Sequence, residues 1–234
     1  MTQQRVHWLP EEVPMAEDVR DWKKTLTPSE KNLLMQIFRF FTQADVEVNN
    51  CYMKHYSQVF KPTEVQMMLA AFSNIETVHI AAYSYLLDTI GMPETEYQAF
   101  LHYKEMKDKV DYLHKFDVST KENIAQTLAV FGAFTEGLQL FASFAILMNF
   151  PRFNKMKGMG QIISWSVRDE SLHTESIIKL FRTFISENPE IWTEEFQRSL
   201  YVTCSEMVEH EDAFIDLAFE LGVGEVLQIE GPNG

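Results

Sequence analysis

Apolar residues recur every three or four positions along most of the chain, which is the period of an amphipathic α-helix. In the segment SNIETVHIAAYSYLLDTI, residues 73–90, Glu76 and His79 occupy central positions of this apolar stripe, and Tyr83 follows one turn later. An unpaired carboxylate in a hydrophobic core is costly enough that it protonates or finds a partner. The pattern therefore predicts a helix whose buried face carries polar groups with a compensating partner.

The same helical period continues between clear start and stop signals. Capping boxes at TPSE (27–30) and STKE (119–122) and the starts PTEV (62–65) and TEEF (193–196) predict where helices begin. The predicted helices cover 27–60, 62–90, roughly 94–116, 119–149, 159–187 and 193 to about 221. Since no segment has the pattern of a strand, we expect an all-α bundle over 27–222, an extended lead-in over 1–26 and a truncated or flexible segment over 223–234.

Composition agrees with a helical globular protein. Of the 234 residues 46% are hydrophobic, and only 9 are glycine and 8 proline, which favours long helices over a turn-rich β fold. The 34 acidic and 20 basic side chains give a net charge of −14. Because phosphate binding needs clustered Lys and Arg, this balance disfavours a nucleic-acid-binding surface.

The remaining features predict a cytoplasmic protein without a membrane span. Cys51 and Cys204 have no metal or redox spacing, and the first residues have no apolar signal region. The stretch 128–150 is long enough to cross a bilayer, but Glu136 and Gln139 interrupt it. We therefore interpret it as a buried helix of a bundle.

Acidic residues and histidines form a repeated pattern on four of the predicted helices. A second E-x-x-H motif, Glu170 to His173, also lies on an apolar stripe. Asp45 precedes Glu76 by 31 residues and Glu136 precedes Glu170 by 34 residues, each on a helix of its own. The order is thus acid, E-x-x-H, acid, E-x-x-H.

This order predicts a dimetal site in a ferritin-like four-helix core. Positions i and i+3 face the same way on a helix, so each motif offers one oxygen and one nitrogen ligand. Four carboxylates balance the charge of two divalent ions. Mixed imidazole and carboxylate ligands suit iron or manganese and do not exclude zinc.

A single E-x-x-H motif is more often an ordinary core pair, so the dimetal prediction depends on the complete set of six residues. Asp111 to His114 has similar spacing but lies in a charged helix, and the cluster 209–212 is interpreted as solvated or interfacial.

Tyr83 suggests what the metals do. Its phenol is predicted to lie near them among apolar side chains, where a tyrosine oxidised by the metal pair would be shielded from solvent. The alternative is a core tyrosine with a hydrogen-bonded hydroxyl.

From Trp8 to about Leu221 the chain resembles the small, radical-generating subunit of class I ribonucleotide reductase. The motifs that carry the resemblance are WLPEEV (8–13), FTQADVEVNN (41–50), IETVHIAAYSY (75–85), TEGLQLFASF (135–144) and RDESLH (168–173). An aspartate followed by E-x-x-H-x-x-x-Y separates this family from ferritins and most related oxidases.

The resemblance implies a role for each residue of the pattern. The first metal would take Asp45, Glu76 and His79, and the second would take Glu136, Glu170 and His173, with Glu76 and Glu170 bridging. Tyr83 would be oxidised to a stable radical. The oxidising equivalent would leave through Trp8, Asp169 and His79.

The resemblance also implies partners. A homodimer would pass the radical to a separate large subunit that reduces ribonucleotides. Iron is the preferred metal, with manganese or a manganese–iron pair as alternatives. The oxidant, the need for a flavodoxin-like activase and the choice of diphosphate or triphosphate substrates stay open.

Family members usually continue with another helix and a tyrosine-bearing tail, whereas this sequence stops at LQIEGPNG. Two other functions compete with this one: a manganese–iron ligand-binding oxidase of the same fold, and an iron-storage bundle.

Overall fold

A computed structural model describes residues 2–92 and 102–222 of the chain, and within these ranges it contains helices and no strand. The all-α prediction is confirmed. In chain order the helices are α1 Thr2–Arg5, α2 Ala16–Arg20, α3 Pro28–Asn50, α4 Thr63–Ile90, α5 Lys104–Leu113, α6 Lys121–Arg152, α7 Lys157–Glu187 and α8 Glu194–Gly222.

The main helices begin and end close to where the sequence predicts. Thr27 caps α3 in the expected capping box, because its hydroxyl accepts from Glu30 N and the Glu30 carboxylate accepts from Thr27 N. At α6 the cap is Thr120 rather than Ser119, since the Thr120 hydroxyl accepts from Asn123 N. The predicted helix over 94–116 is observed only as α5, and its part over 93–101 lies outside the described residues.

The segment before α3 differs from the extended chain expected over 1–26. It forms α1, α2, a 3-10 turn over Pro10–Glu12 and a π-helical turn over Asp21–Thr25. Trp8, Val13 and Met15 are buried in the main hydrophobic core. Burial of these apolar side chains folds the segment onto the bundle, a tertiary effect that local sequence signals do not carry.

This segment also supplies the N-terminal cap of α7. Asp18 accepts hydrogen bonds from the backbone N–H groups of Gly158 and Met159, both at 2.8 Å, and Asp21 accepts from Met156 N at 3.0 Å. The four N–H groups at the start of an α-helix have no partner within the helix. A Cβ at Gly158 would lie 2.8 Å from Asp18 Oδ2, so only glycine allows this approach.

π-helical turns also occur within α6 and directly after α3. In α6 the turns cover Ala129–Gln139, and after α3 they cover Cys51–Tyr56 and lead into the short helical end Ser57–Val59. A π-helical turn changes the direction in which the following side chains point and is frequent at functional sites. Here Glu136 and Tyr52 both lie within such turns.

One ion pair between α5 and α8 corrects the sequence interpretation of the 209–212 cluster. Glu211 is buried and pairs with Lys109, whose ammonium lies 3.7 Å from the ring centre of Phe40 and 4.5 Å from that of Phe214. The expected solvated or interfacial role of the cluster is wrong for Glu211. By contrast, the exposed side chain of His114 pairs with Glu47 at 2.9 Å, in agreement with its predicted surface position.

The apolar side chains form two main clusters with a polar layer between them. On α4, Tyr83 and Ile75 belong to the larger cluster, and Leu69 and Phe72 belong to the second. Glu76 and His79 are buried between these positions. Among the described residues, α6 is long and apolar enough to cross a membrane. However, 56% of its most apolar stretch is buried inside the protein, and the helix carries Glu136 into the polar layer.

Candidate metal centre

The structure brings the six predicted ligands together from four helices. All are almost completely buried, the most exposed being Asp45 at 2%. They form two groups, in each of which the ligand atoms lie within 4.8 Å of one another. One group is Asp45, Glu76 and His79, and the other is Glu76, Glu136, Glu170 and His173.

Glu76 and Glu170 lie between the two histidines. The Nδ1 atom of His173 is 3.0 Å from Glu76 Oε1 and 3.3 Å from Glu170 Oε2. The Nδ1 atom of His79 is 3.0 Å from Glu170 Oε1 and 3.6 Å from Glu76 Oε2. Each of these two carboxylates therefore faces both imidazoles, which is the position that a bridging carboxylate needs.

The donor atoms of this cluster fit two cations. Two of its carboxylate oxygens, Asp45 Oδ2 and Glu136 Oε2, have no hydrogen-bond partner among the described residues, and the two nitrogens that face the carboxylates, His79 Nδ1 and His173 Nδ1, lie 3.0–3.6 Å from them. Buried polar atoms without a partner are costly, and they are rare in native proteins. Metal ions coordinated by these oxygen and nitrogen atoms would remove that cost, and the ligand types suit iron or manganese.

Without metal, several acids and histidines of the site have shifted pKa values. Burial raises the pKa of Glu136 to about 8, and burial together with the Glu76 carboxylate raises that of Asp45 well above its ordinary value. Burial opposes protonation of His79 and His173, but contacts with the surrounding carboxylates raise the pKa of both imidazoles. The protein alone thus compensates the acids with protons, which bound cations would displace.

Asp169 connects the predicted radical-transfer residues. Its Oδ2 accepts a hydrogen bond from Trp8 Nε1 at 2.8 Å and lies 3.3 Å from His79 Nε2. Its Oδ1 accepts from Gln3 Nε2 at 3.0 Å and from the Arg168 guanidinium at 3.1 Å. Burial opposes ionisation, but the contacts with His79 and Trp8 lower the pKa of Asp169 to about 2. The contacts that the predicted path requires and the alternative salt bridge with Arg168 are therefore both present.

Tyr83 is buried beside the first group of ligands. Its ring stacks on Phe41 with centroids 5.1 Å apart, and its hydroxyl donates to Ser166 Oγ at 3.3 Å. Burial and the Asp45 carboxylate raise the pKa of the phenol. The surroundings keep Tyr83 neutral and away from water.

Sequence reasoning did not assign roles to three residues that contact the site. Tyr52 donates to Glu136 Oε1 at 2.5 Å, Ser166 accepts from Tyr83, and Gln3 donates to Asp169. Tyr52 and Ser166 had a usable signal. Tyr52 lies two turns after Asp45 on the same apolar stripe, and Ser166 lies one turn before Glu170. Gln3 had no such signal.

The fold and the site define the class of the protein: a helical bundle with a buried carboxylate–histidine cluster that fits a dimetal centre. More particularly, the chain belongs to the ribonucleotide reductase small chain family, whose model, described as "Ribonucleotide reductase, small chain", matches residues 1–230.

Relatives of the chain carry names from the same family. The chain is 48% identical over 235 residues to the probable ribonucleoside-diphosphate reductase small subunit 376L of Invertebrate iridescent virus 6, a match that covers 93% of this chain and 65% of the viral protein. The chain thus spans less than two thirds of that relative's length.

Solved structures give the same fold. A putative class I ribonucleotide reductase from Bacillus halodurans superposes with a TM-score of 0.88 at 21% identity, covering 96% of this chain and 82% of the other. An R2-like ligand-binding oxidase reconstituted with Mn/Fe superposes with a TM-score of 0.76 at 19% identity, covering 94% of this chain and 79% of the other. Identity this low shows the fold alone. The family match favours the reductase over the oxidase and iron-storage alternatives.

Proposed function

We propose that this chain is the radical-generating small subunit of ribonucleotide reductase, in which a dimetal centre oxidises Tyr83. The observation that carries the proposal is the pair of ligand groups that share Glu76, beside a buried tyrosine and a hydrogen-bonded path to Trp8. The names of the relatives support the same activity.

In this proposal each residue acts through a contact described above. Asp45, Glu76 and His79 would hold the first metal, and Glu136, Glu170 and His173 would hold the second, with Glu76 and Glu170 available to both. When bound, the two ions supply the oxidising equivalent, which they obtain from oxygen or a reduced oxygen species. Tyr83 would lose one electron to the oxidised ions and its phenolic proton to the oxygen species that is being reduced, and Phe41 and the surrounding core would keep water from the oxidised ring.

The Asp169 carboxylate links His79 to Trp8 in the proposed electron-transfer path. Asp169 accepts from the Trp8 indole and faces His79 Nε2, so it fixes the ring orientation of a metal ligand while it contacts an oxidisable indole. Trp8 and His79 have ring centroids 6.0 Å apart. We propose that electrons return to Tyr83 along this path during turnover.

The partners and the metal follow from the same proposal. The chain would act as a cytoplasmic homodimer with a large subunit that holds the nucleotide. Iron is the preferred metal, and manganese or a manganese–iron pair are the alternatives. Activation by a flavodoxin-like protein would accompany a manganese centre. Structural neighbours that carry manganese or manganese and iron make these metals reasonable candidates.

Electron paramagnetic resonance (EPR) tests the proposed function. Metal-free protein is loaded with Fe²⁺ or Mn²⁺ and exposed to oxygen or, for manganese, to superoxide. We expect a tyrosyl radical signal that disappears in Tyr83→Phe while the metal content is retained. Tyr85→Phe, on the same helix, is the matched control and should keep the signal. Full metal loading without a Tyr83-dependent radical under all these conditions contradicts the proposal.

A further inference from the structure

Tyr52 is a second buried tyrosine at the candidate metal centre, on the side away from Tyr83. It is completely buried, and it belongs to the π-helical turns Cys51–Tyr56 that follow α3. Tyr83 packs in the larger apolar cluster, whereas Tyr52 packs in the second one. The two phenols therefore contact opposite ends of the polar layer.

The Tyr52 hydroxyl contacts a carboxylate oxygen that also faces a histidine. It donates to Glu136 Oε1 at 2.5 Å, and the same oxygen lies 3.3 Å from His173 Nδ1. The ring of Tyr52 is edge-on to the His173 ring, with centroids 6.1 Å apart, and it packs against Phe72, which contacts the same imidazole. Tyr52 thus touches two of the groups proposed to hold the second metal.

The other oxygen of Glu136 is buried and has no hydrogen-bond partner among the described residues. A carboxylate with one oxygen held and the other unpaired has a fixed orientation, and its second oxygen remains available to a cation. Because hydrogen bonds to charged groups are among the stronger ones in proteins, the Tyr52 hydroxyl is able to impose this orientation.

We propose that Tyr52 is a positioning residue for the second metal: its hydroxyl fixes Glu136 so that this carboxylate binds the ion in one orientation. This inference rests on the proposed dimetal site and adds a residue to it. Groups that orient metal ligands typically contribute about 10–100-fold to metal affinity. Tyr52 would therefore affect the second metal selectively and leave the first, bound by Asp45, Glu76 and His79, unchanged.

Tyr56 provides the matched control. It is completely buried in the same π-helical turns, its ring centre is 6.1 Å from that of Tyr52, and its hydroxyl lies beside the Cys51 thiol. It has no hydrogen bond to any of the six ligands among the residues that the structure describes. Tyr56→Phe therefore removes a buried hydroxyl at nearly the same depth without touching Glu136.

The test is an anaerobic titration of the metal-free full chain with Mn²⁺, in which EPR measures unbound Mn²⁺. We expect two ions per wild-type chain. In Tyr52→Phe, whose phenyl ring fills the same space, one of the two affinities should fall about 10–100-fold and the other should not change. Tyr56→Phe should match the wild type.

Repeating the titration in single-site backgrounds shows which ion is affected. His79→Ala leaves the second group complete, and there Tyr52→Phe should weaken the remaining ion. His173→Ala leaves the first group, and there Tyr52→Phe should have no effect. Equal weakening of both ions, as a merely structural role would give, or no weakening of either, overturns the inference.

The outcomes separate this inference from the proposed function. A wild-type chain that binds fewer than two ions overturns both. Two bound ions with a selective Tyr52 effect but no Tyr83 radical overturn the proposed function and support the role of Tyr52. Two bound ions and a Tyr83 radical without a Tyr52 effect support the proposed function and overturn the role of Tyr52.

Discussion

At the scale of single residues, the environment of Tyr83 determines how a radical on its ring would behave. The hydroxyl donates to Ser166, which is itself completely buried on α7. Once the phenolic proton is lost, the serine O–H can rotate and donate to the phenoxyl oxygen, because a hydroxyl is both donor and acceptor. Ser166 is therefore expected to perturb the radical without taking part in metal binding.

Ser166→Ala should change the spectrum of the Tyr83 radical while the metal content stays at the wild-type level. The reason is that a donated hydrogen bond shifts the principal g values and adds a coupling to an exchangeable proton. High-field EPR and electron–nuclear double resonance in H₂O and D₂O measure both. Ser143→Ala, which removes another buried serine, serves as the control. Identical spectra for Ser166→Ala and the wild type would rule out this hydrogen bond.

Residue identity and spacing were sufficient to predict the ligand cluster but not its hydrogen-bonded neighbours. The pairs Glu76–His79 and Glu170–His173 interrupt apolar stripes at positions i and i+3, and Asp45 and Glu136 each interrupt a further apolar helix. A buried charge without compensation is too costly for such a pattern to be accidental. Gln3, however, has no signal in its segment, and although Tyr52 lies on the stripe of Asp45, its partner Glu136 is on another helix. Their contacts depend on how separate helices meet, which periodicity within one helix does not specify.

At the scale of helices, α7 depends on a cap from another part of the chain. Met156, which precedes it, has a left-handed backbone conformation and provides no side-chain cap, whereas Asp18 accepts from two backbone N–H groups. A helix that carries Ser166, Asp169, Glu170 and His173 is thus held by the segment that also carries Trp8. Local capping rules located the starts of α3 and α8 but not this distant cap, because they consider only adjacent residues.

Asp18→Ala should lower the free energy of unfolding by about 1–2 kcal/mol, the usual effect of losing a helix cap. Urea unfolding of the metal-free protein, followed by circular dichroism, measures the change. Glu11→Ala removes an exposed acid from the same segment and should have little effect. Equal stability of Asp18→Ala and the wild type would mean that this cap does not stabilise α7.

The Lys109–Glu211 pair joins α5 to α8 inside the protein. Lys109→Met leaves the Glu211 carboxylate buried without its cation and should cost about 3–5 kcal/mol of stability. The double variant Lys109→Met, Glu211→Leu should recover most of this loss, because it leaves no unpaired charge. The same urea experiment measures both variants. A double variant as unstable as the single one would show that the ion pair is not the cause.

At the scale of the whole molecule, a polar layer separates two apolar clusters, so metal binding and folding should be coupled. The fold class was predictable because helix periodicity covers nearly the whole chain. The π-helical turns in α6 and after α3 were not, since no sequence pattern here distinguishes them from the α-helix around them. These turns are stabilised by tertiary packing against neighbouring helices.

Bound metal should stabilise the folded protein through linkage. At a free ion concentration of about 100 times the dissociation constant, each site should add about 2.7 kcal/mol to the free energy of unfolding. Thermal unfolding with and without Mn²⁺ under anaerobic conditions measures the shift. Glu170→Ala, which lacks a ligand facing both histidines, should lose most of it. A similar shift in Glu170→Ala would place the stabilising ions elsewhere.

The most direct test of the central claim is a crystal structure of the metal-loaded chain, with anomalous diffraction recorded at the absorption edge of the metal. The account predicts two peaks inside the bundle, one among Asp45, Glu76 and His79 and the other among Glu76, Glu136, Glu170 and His173. A single peak, peaks only on the surface, or an ordered cluster without a bound metal ion would contradict it.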